Sequence, residues 1–173
     1  MKSGHMKITR PALLLTAMLC GGNVHAQPPV AAEPVLELRD AGNVPLHITP
    51  ALLQSLARHT LQVEDHGRPA RFEGVSLRDL LEHAGAPLGP KLRGAMMGRY
   101  LQVSAADGYQ TVFALAELDA ATGNRFVLLA DRRDGQPLSA HEGPYRLIVP
   151  EDRRAARWVR QVNTLRLHDV SRP

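Results

Sequence analysis

The sequence predicts an α+β domain of mixed β-sheets with a few short helices. Three observations predict it. Short stretches alternate apolar and polar residues with a period of two, as half-buried strands do. Ser and Thr caps open only brief helical patterns. Turn signals such as Asp107-Gly108 and Asp134-Gly135 recur between the strands. Some seven strands and two or three helices follow, with no internal repeat.

In chain order, residues 1–26 read as a secretory signal peptide. Lys2, Lys7 and Arg10 give a positive start, Pro11 to Cys20 an apolar stretch, and Val24-His25-Ala26 a cleavage site. The apolar stretch of about ten residues is too short for the roughly 20 that cross a bilayer. Residues 27–34, rich in Pro and Ala, read as a flexible arm, and residues 35–173 as a single domain. Val35 to Arg39 alternates as a strand. Thr49 caps a helix with Pro50 at its first position and Ala51 to Ala57 behind it. His59 to Glu64 alternates, turns at Asp65 to Pro69 and returns as Ala70 to Glu73, a hairpin. Ser76 caps a second helix with Asp79 as its acidic partner and Leu77, Leu80 and Leu81 as its buried stripe, ended by Gly85. A short helix is expected around Lys91. Arg99–Ala105 and Tyr109–Ala114 are strands joined through Asp107-Gly108. Leu115–Leu118 is a helical turn, Phe126–Ala130 a strand covered on both faces, and Tyr145–Val149 another strand. Trp158–Leu167 is the closing strand.

Composition limits the function classes. Taking Lys2, Lys7 and Arg10 away with the leader leaves 18 basic against 17 acidic residues, so no global charge draws the mature chain to nucleic acid or anionic lipid. The single cysteine, Cys20, leaves with the leader, so the mature domain has no disulfide and no thiolate. A chain of 147 residues buries about 68–70% of its unfolded surface and needs neither. All its cations but Lys91 are arginines. A GC-rich genome and an anion-binding surface explain that equally.

Three groups of residues carry candidate chemistry. Arg153, Arg154, Arg157 and Arg160 flank Trp158, and guanidinium forks suit phosphate or carboxylate. A solvated connection whose arginines pair with Glu151 and Asp152 is the competing reading. Asp107 and Tyr109 are placed to line a pocket at a strand end, while a plain β-turn accounts for Asp107-Gly108 as well. Six histidines remain in the mature chain, none at H-x-H or H-x-x-x-H spacing, so a metal site needs partners supplied by the fold. No catalytic Ser/His/Asp order, phosphate-binding glycine loop or paired-cysteine motif occurs.

Several stretches together resemble the molybdopterin-binding domain of sulfite-oxidase-type oxidoreductases: Phe72 to Gly85, Ala105 to Tyr109, Val127 to Gly135, Gly143 to Pro150 and Arg157 to Val162. Their order and spacing carry the likeness, which runs from about Ile48 to Leu167. The resemblance implies a sulfite-oxidase-like fold with mixed sheets, and a cleft in which relatives hold a pyranopterin phosphate with arginine and other polar groups. It places Arg157 and Trp158 near that cleft, with Arg153, Arg154, Asp107 and Tyr109 beside them. It also implies a cysteine ligand to molybdenum after the strand that corresponds to Thr60–Glu64. Here that turn reads Glu64-Asp65-His66-Gly67, so Asp65 and His66 occupy the region of the thiolate and no sulfur is offered. Exported relatives that carry molybdopterin leave the cytoplasm folded, on a twin-arginine signal, and this leader has no arginine pair.

The expectation is therefore a periplasmic or secreted domain, exported by general secretion. It keeps the molybdopterin-oxidoreductase fold as a binding or accessory module, without molybdenum, for a small anion or a periplasmic protein. The alternative is a molybdopterin-dependent oxidoreductase whose metal is held by the pterin alone, with Asp65 or His66 nearby. A third reading is a domain that docks on a periplasmic sensor or redox partner. Nucleic acid and a membrane span are not expected.

Overall fold

The computed structural model describes Met1, residues 36–40 and residues 46–170. Apart from Met1, the expected leader and arm lie outside the described residues. From residue 36 onward the described residues belong to one compact unit.

Two five-stranded sheets form the frame. The first is ordered β2-β1-β10-β5-β6, from Leu36–Asp40 (β1), Leu46–Ile48 (β2), Arg99–Ala105 (β5), Gln110–Ala114 (β6) and Val162–Asp169 (β10). Only β1 and β10 run parallel in it, so the sheet is mixed. The second holds Arg58–Asp65 (β3), Arg68–Ser76 (β4), Leu128–Arg133 (β7), Gln136–Pro137 (β8) and Arg146–Ile148 (β9), with β9 paired to β7. Inward residues of both sheets, among them Phe72, Val75, Leu101, Val103, Leu128, Leu147 and Leu165, join one continuous hydrophobic cluster. Each such side chain contributes roughly 1.5–3 kcal/mol on burial.

The helices are short and capped as the sequence dictates. In α1 (Pro50–Ser55) the Thr49 hydroxyl accepts from Leu52 N at 3.2 Å. In α2 (Leu77–His83) the Ser76 hydroxyl accepts from Asp79 N at 3.4 Å, and Leu77, Leu80 and Leu81 are buried. Gly85, at φ +77°, lets the chain leave α2. α3 spans Leu115–Leu118, with the Glu117 carboxylate accepting from Ala114 N.

Four details differ from the sequence reading. The strand expected from Phe126 starts at Leu128, because Val127 O accepts from Leu77 N and ties that residue to the α2 start. The closing strand starts at Val162 rather than Trp158. Gln161 adopts φ +51°, which breaks the extended run, and Ala155–Arg157 form a 3-10 turn before it. The helix around Lys91 is a single 3-10 turn, Gly89–Lys91. Finally, β2 and β8, three and two residues long, are too brief to show a period.

One irregularity positions the site. The β4–β7 ladder shifts register between Glu73 and Gly74, so Phe72 pairs with Arg133 while Gly74 pairs with Ala130. Gly74 is obligatory there: a Cβ would collide with the Leu129 carbonyl oxygen and lie 2.7 Å from the Ala130 Cα. The bulge carries Arg133 to the end of β7 beside the ring of Phe72.

Candidate functional site

The β3–β4 hairpin turns through His66 (φ +52°) and Gly67 (φ +77°), both left-handed, as a two-residue primed turn requires. Along β3, Leu61, Val63 and Asp65 share the covered face, so the alternation that buries two apolar side chains also buries a carboxylate. Asp65 is 5% exposed.

A buried carboxylate needs partners, and two arginines supply them. Arg146, in the buried strand β9, meets Asp65 with both ends of its fork: Nη2 donates to Oδ1 at 2.9 Å and Nη1 to Oδ2 at 3.0 Å. Arg133 Nη1 donates to the same Oδ2 at 2.9 Å. Glu142, from the loop before β9, completes the cluster. Its Oε1 accepts from Arg133 Nη1 at 2.8 Å and also from Arg146 Nη1. Aromatic rings frame the cations: Arg133 and Arg146 lie 5.2 and 5.1 Å from the Phe72 centroid, and Arg146 lies 5.8 Å from Trp158. Cation–π contacts of this kind contribute about 0.5–2 kcal/mol each. Burial alone would raise the Asp65 carboxyl, but the hydrogen bonds and charge of Arg146, with the charge of Arg133, hold it below the usual carboxylate range. For Arg133 burial opposes the charge, and Glu142 with Asp65 outweighs it and raises the guanidinium.

Beside this cluster opens a cleft of about 290 Å³, walled by His66, Asp107, Tyr109, Arg146, Trp158 and Arg160. Ala105, Ala155 and Ala156 leave it room. Trp158 is held by its indole N–H, which donates to Val149 O at 2.8 Å. The Tyr109 hydroxyl donates to Ala156 O at 2.8 Å, and Asp107 Oδ1 accepts from Tyr109 N, which fixes the turn at the rim. Arg146 Nε is buried and has no hydrogen-bond partner. Arg160 is exposed and pairs with no described residue. A second, larger groove of about 440 Å³ runs along the β3–β4 hairpin; its one cation is already engaged, since Arg71 pairs with Glu73, and Asp134 Oδ1 accepts from Arg71 N. The smaller cleft is the candidate site.

Of the residues singled out in the sequence, Trp158, Arg160, Asp107, Tyr109 and His66 line the cleft, and Asp65 lies behind its Arg146 wall. Arg157 does not line it. Its Nε and Nη2 donate to Asp152 at 2.8 and 2.7 Å, its Nη1 reaches Glu117, and its guanidinium covers the ring of Phe113 at 4.7 Å. Arg153 and Arg154 are exposed, pair with no described residue and lie outside the lining. Sequence reasoning missed Arg146, Arg133 and Glu142. The available signal was Arg146 itself, a charge inside the apolar run Tyr145–Val149, since a cation in a fully buried strand requires an anionic partner.

This fold agrees with what the chain is similar to. Residues 30–173 match the model of the oxidoreductase molybdopterin binding domain. The chain belongs to that family. Among solved structures, the sulfane dehydrogenase SoxCD from Paracoccus pantotrophus is similar with a TM-score of 0.57 and 22% identity, covering 78% of this chain. The likeness spans 38% of that longer chain and supports the sulfite-oxidase-like fold. No curated protein matches the chain.

The donor set does not fit the thiolate-bound molybdenum centre that the family implies. Asp65, expected from the sequence to stand in the region of that thiolate, has both oxygens engaged by guanidinium groups. No cysteine occurs among the described residues, and none of their His, Asp and Glu side chains cluster in threes as metal ligands do. The cleft also falls at the lower edge of the roughly 300–1,000 Å³ of small-molecule sites.

Proposed function

We propose that this family member works as an exported binding module without molybdenum, whose cleft takes a small anion or the anionic end of a protein partner. The observation that carries this reading is the division of labour at Arg146. Its Nη atoms are bound to Asp65 and Glu142, whereas its Nε–H, in a residue that walls the cleft, is unengaged. Arg160 adds a free charge on the same wall. Arg160 is the donor open to an anion, while Arg146, its Nε–H buried, lends the wall its charge; a charge-assisted hydrogen bond contributes about 1.5–3 kcal/mol. No helix of the described residues is long and apolar enough to cross a membrane. The leader read from residues 1–26 supports release into the periplasm or beyond.

Metal analysis of the protein purified from its native cell envelope tests the first half of the reading: stoichiometric molybdenum ends it. Calorimetric titration with sulfate tests the second. Saturable binding is expected, weakened about tenfold or more in Arg160→Ala, the loss of one charged hydrogen bond. Equal binding by both proteins removes the cleft from the account.

The match over residues 30–173 favours one alternative, a molybdopterin-dependent oxidoreductase whose metal is held by the pterin with His66 or Asp65 nearby. That reading expects His66→Ala to abolish turnover of an active preparation, and unchanged turnover takes His66 out of it.

A further inference from the structure

Two guanidinium groups brought together under aromatic rings need an anion. Arg133 comes from the end of β7 and Arg146 from β9, and their Nη1 atoms converge on one pair of oxygens, Asp65 Oδ2 and Glu142 Oε1. Two donors converging on two oxygens is the way arginines clasp a single oxyanion. Here the oxygens belong to different carboxylates, brought in by the hairpin tip and by the loop before β9. That loop is fixed independently of its side chain: Gln161 N donates to Glu142 O at 2.9 Å, and Gln161 Nε2 donates to Ala140 O at 2.7 Å. Glu142 is also the more accessible of the two carboxylates, its side chain 14% exposed against 4% for Asp65.

We infer that Asp65 and Glu142 act together as a built-in oxyanion. The space behind the Arg146 wall of the cleft is an anion site already filled by the protein itself, and withdrawing the Glu142 carboxylate turns it into a site for a small inorganic oxyanion. Two positive and two negative charges balance within the cluster, so the domain completes its folded state with no cofactor or ion inserted into it. A chain exported unfolded has need of that property. This inference shares the Arg146 wall with the proposed function but does not rest on an outer ligand.

The experiment removes the outer cation and then opens the inner site. Arg160→Ala and Arg160→Ala/Glu142→Gln are titrated with sulfate at ionic strength held constant with chloride, following the thermal midpoint and the heat of binding. The double variant is expected to melt lower than Arg160→Ala in chloride. Sulfate should restore it along a saturable one-site curve, with an apparent Kd at least about tenfold lower than for Arg160→Ala. A merely structural role for Glu142 lowers the midpoint without creating that curve. Equal or unsaturable responses in the two proteins overturn the inference, as does a double variant that fails to fold with and without sulfate while Arg160→Ala/Glu142→Asp folds and shows no sulfate response. A wild-type protein that ignores sulfate counts against the outer ligand alone, because both titrated proteins lack Arg160.

Discussion

Two arginine–carboxylate clusters lie in this domain, and they differ chiefly in water. The inner one joins Asp65, Glu142, Arg133 and Arg146 beneath Phe72 and Trp158, with Arg146 3% and Asp65 4% exposed at the side chain. The outer one joins Arg125, Arg157, Glu117 and Asp152 around α3, with Arg157 23% and Arg125 32% exposed. Both use forked guanidinium contacts near 2.7–2.9 Å, and both lay an arginine over a phenylalanine ring. The geometry is alike and the consequence is not. In the outer cluster, water replaces a lost partner. At the buried Arg146–Asp65 pair of the inner cluster it does not, so those two charges depend on their partners, while Arg133 of the same cluster is 28% exposed.

The strongest way to break this comparison is to delete one arginine from each cluster. Arg146→Met leaves Asp65 buried beside a single remaining cation and is expected to cost about 3–5 kcal/mol by urea denaturation. Arg146→Met/Asp65→Leu, which removes the stranded charge too, should recover part of that loss; a cost under about 1 kcal/mol for the single change would mean that the clusters are equivalent. Next in size is Trp158→Phe. It keeps a ring beside Arg146 but deletes one of the two N–H groups that Val149 O accepts, leaving the Asp152 N–H, with an expected cost of about 1–2 kcal/mol for the lost hydrogen bond and the smaller ring.

How far the sequence reveals these regions depends on the kind of signal. The caps at Thr49 and Ser76, a hairpin turn within Asp65–Pro69 and the helix Leu115–Leu118 are local, and each was readable because a few neighbouring residues determine it, though the turn itself narrows to His66-Gly67. The family likeness was readable from the order of the motifs, and residues 30–173 match its model. The cleft was half readable: Trp158, Asp107, Tyr109 and His66 line it, while Arg157 turns to Asp152 and Glu117. Arginines that are adjacent in the chain report a local charge density and not the direction of any side chain. The inner cluster was not readable, because Asp65 and Arg146 are 81 residues apart and Asp65 and Arg133 are 68 apart. Only the bulge at Gly74 and the pairing of β7 with β4 and β9 bring them together.

The smaller effects sharpen the contrast. Arg157→Ala is expected to cost about 1 kcal/mol or less and to lose most of that effect in high salt, since Arg157 and Glu117 are 23% and 27% exposed. Arg153→Ala and Arg154→Ala, at exposed positions, should stay within about 0.5 kcal/mol of the parent.

The acid limb of stability separates the clusters by sign and by salt. Asp152 is held low first by its hydrogen bonds from Arg157, against burial. For Asp65 burial is the largest single influence and raises it, but the hydrogen bonds and charge of Arg146 with the charge of Arg133 together hold it low. A carboxyl lower in the folded chain than its unfolded value of about 3.9 stabilises fully above that value, and the contribution drains away as pH falls through the folded pKa. Both clusters therefore weaken the protein below about pH 4, and neither changes it near neutrality. In Arg157→Ala, Asp152 returns toward its ordinary range, so its share of the acid limb disappears, and added salt should remove the same share from the parent. The Asp65 share should survive both treatments, because ions do not reach a side chain 4% exposed. Thermal midpoints from pH 7 to pH 3 at low and high salt measure this. An acid limb that salt flattens completely would show that the inner cluster is as wet as the outer one, and that its carboxylates are not a sealed counter-charge.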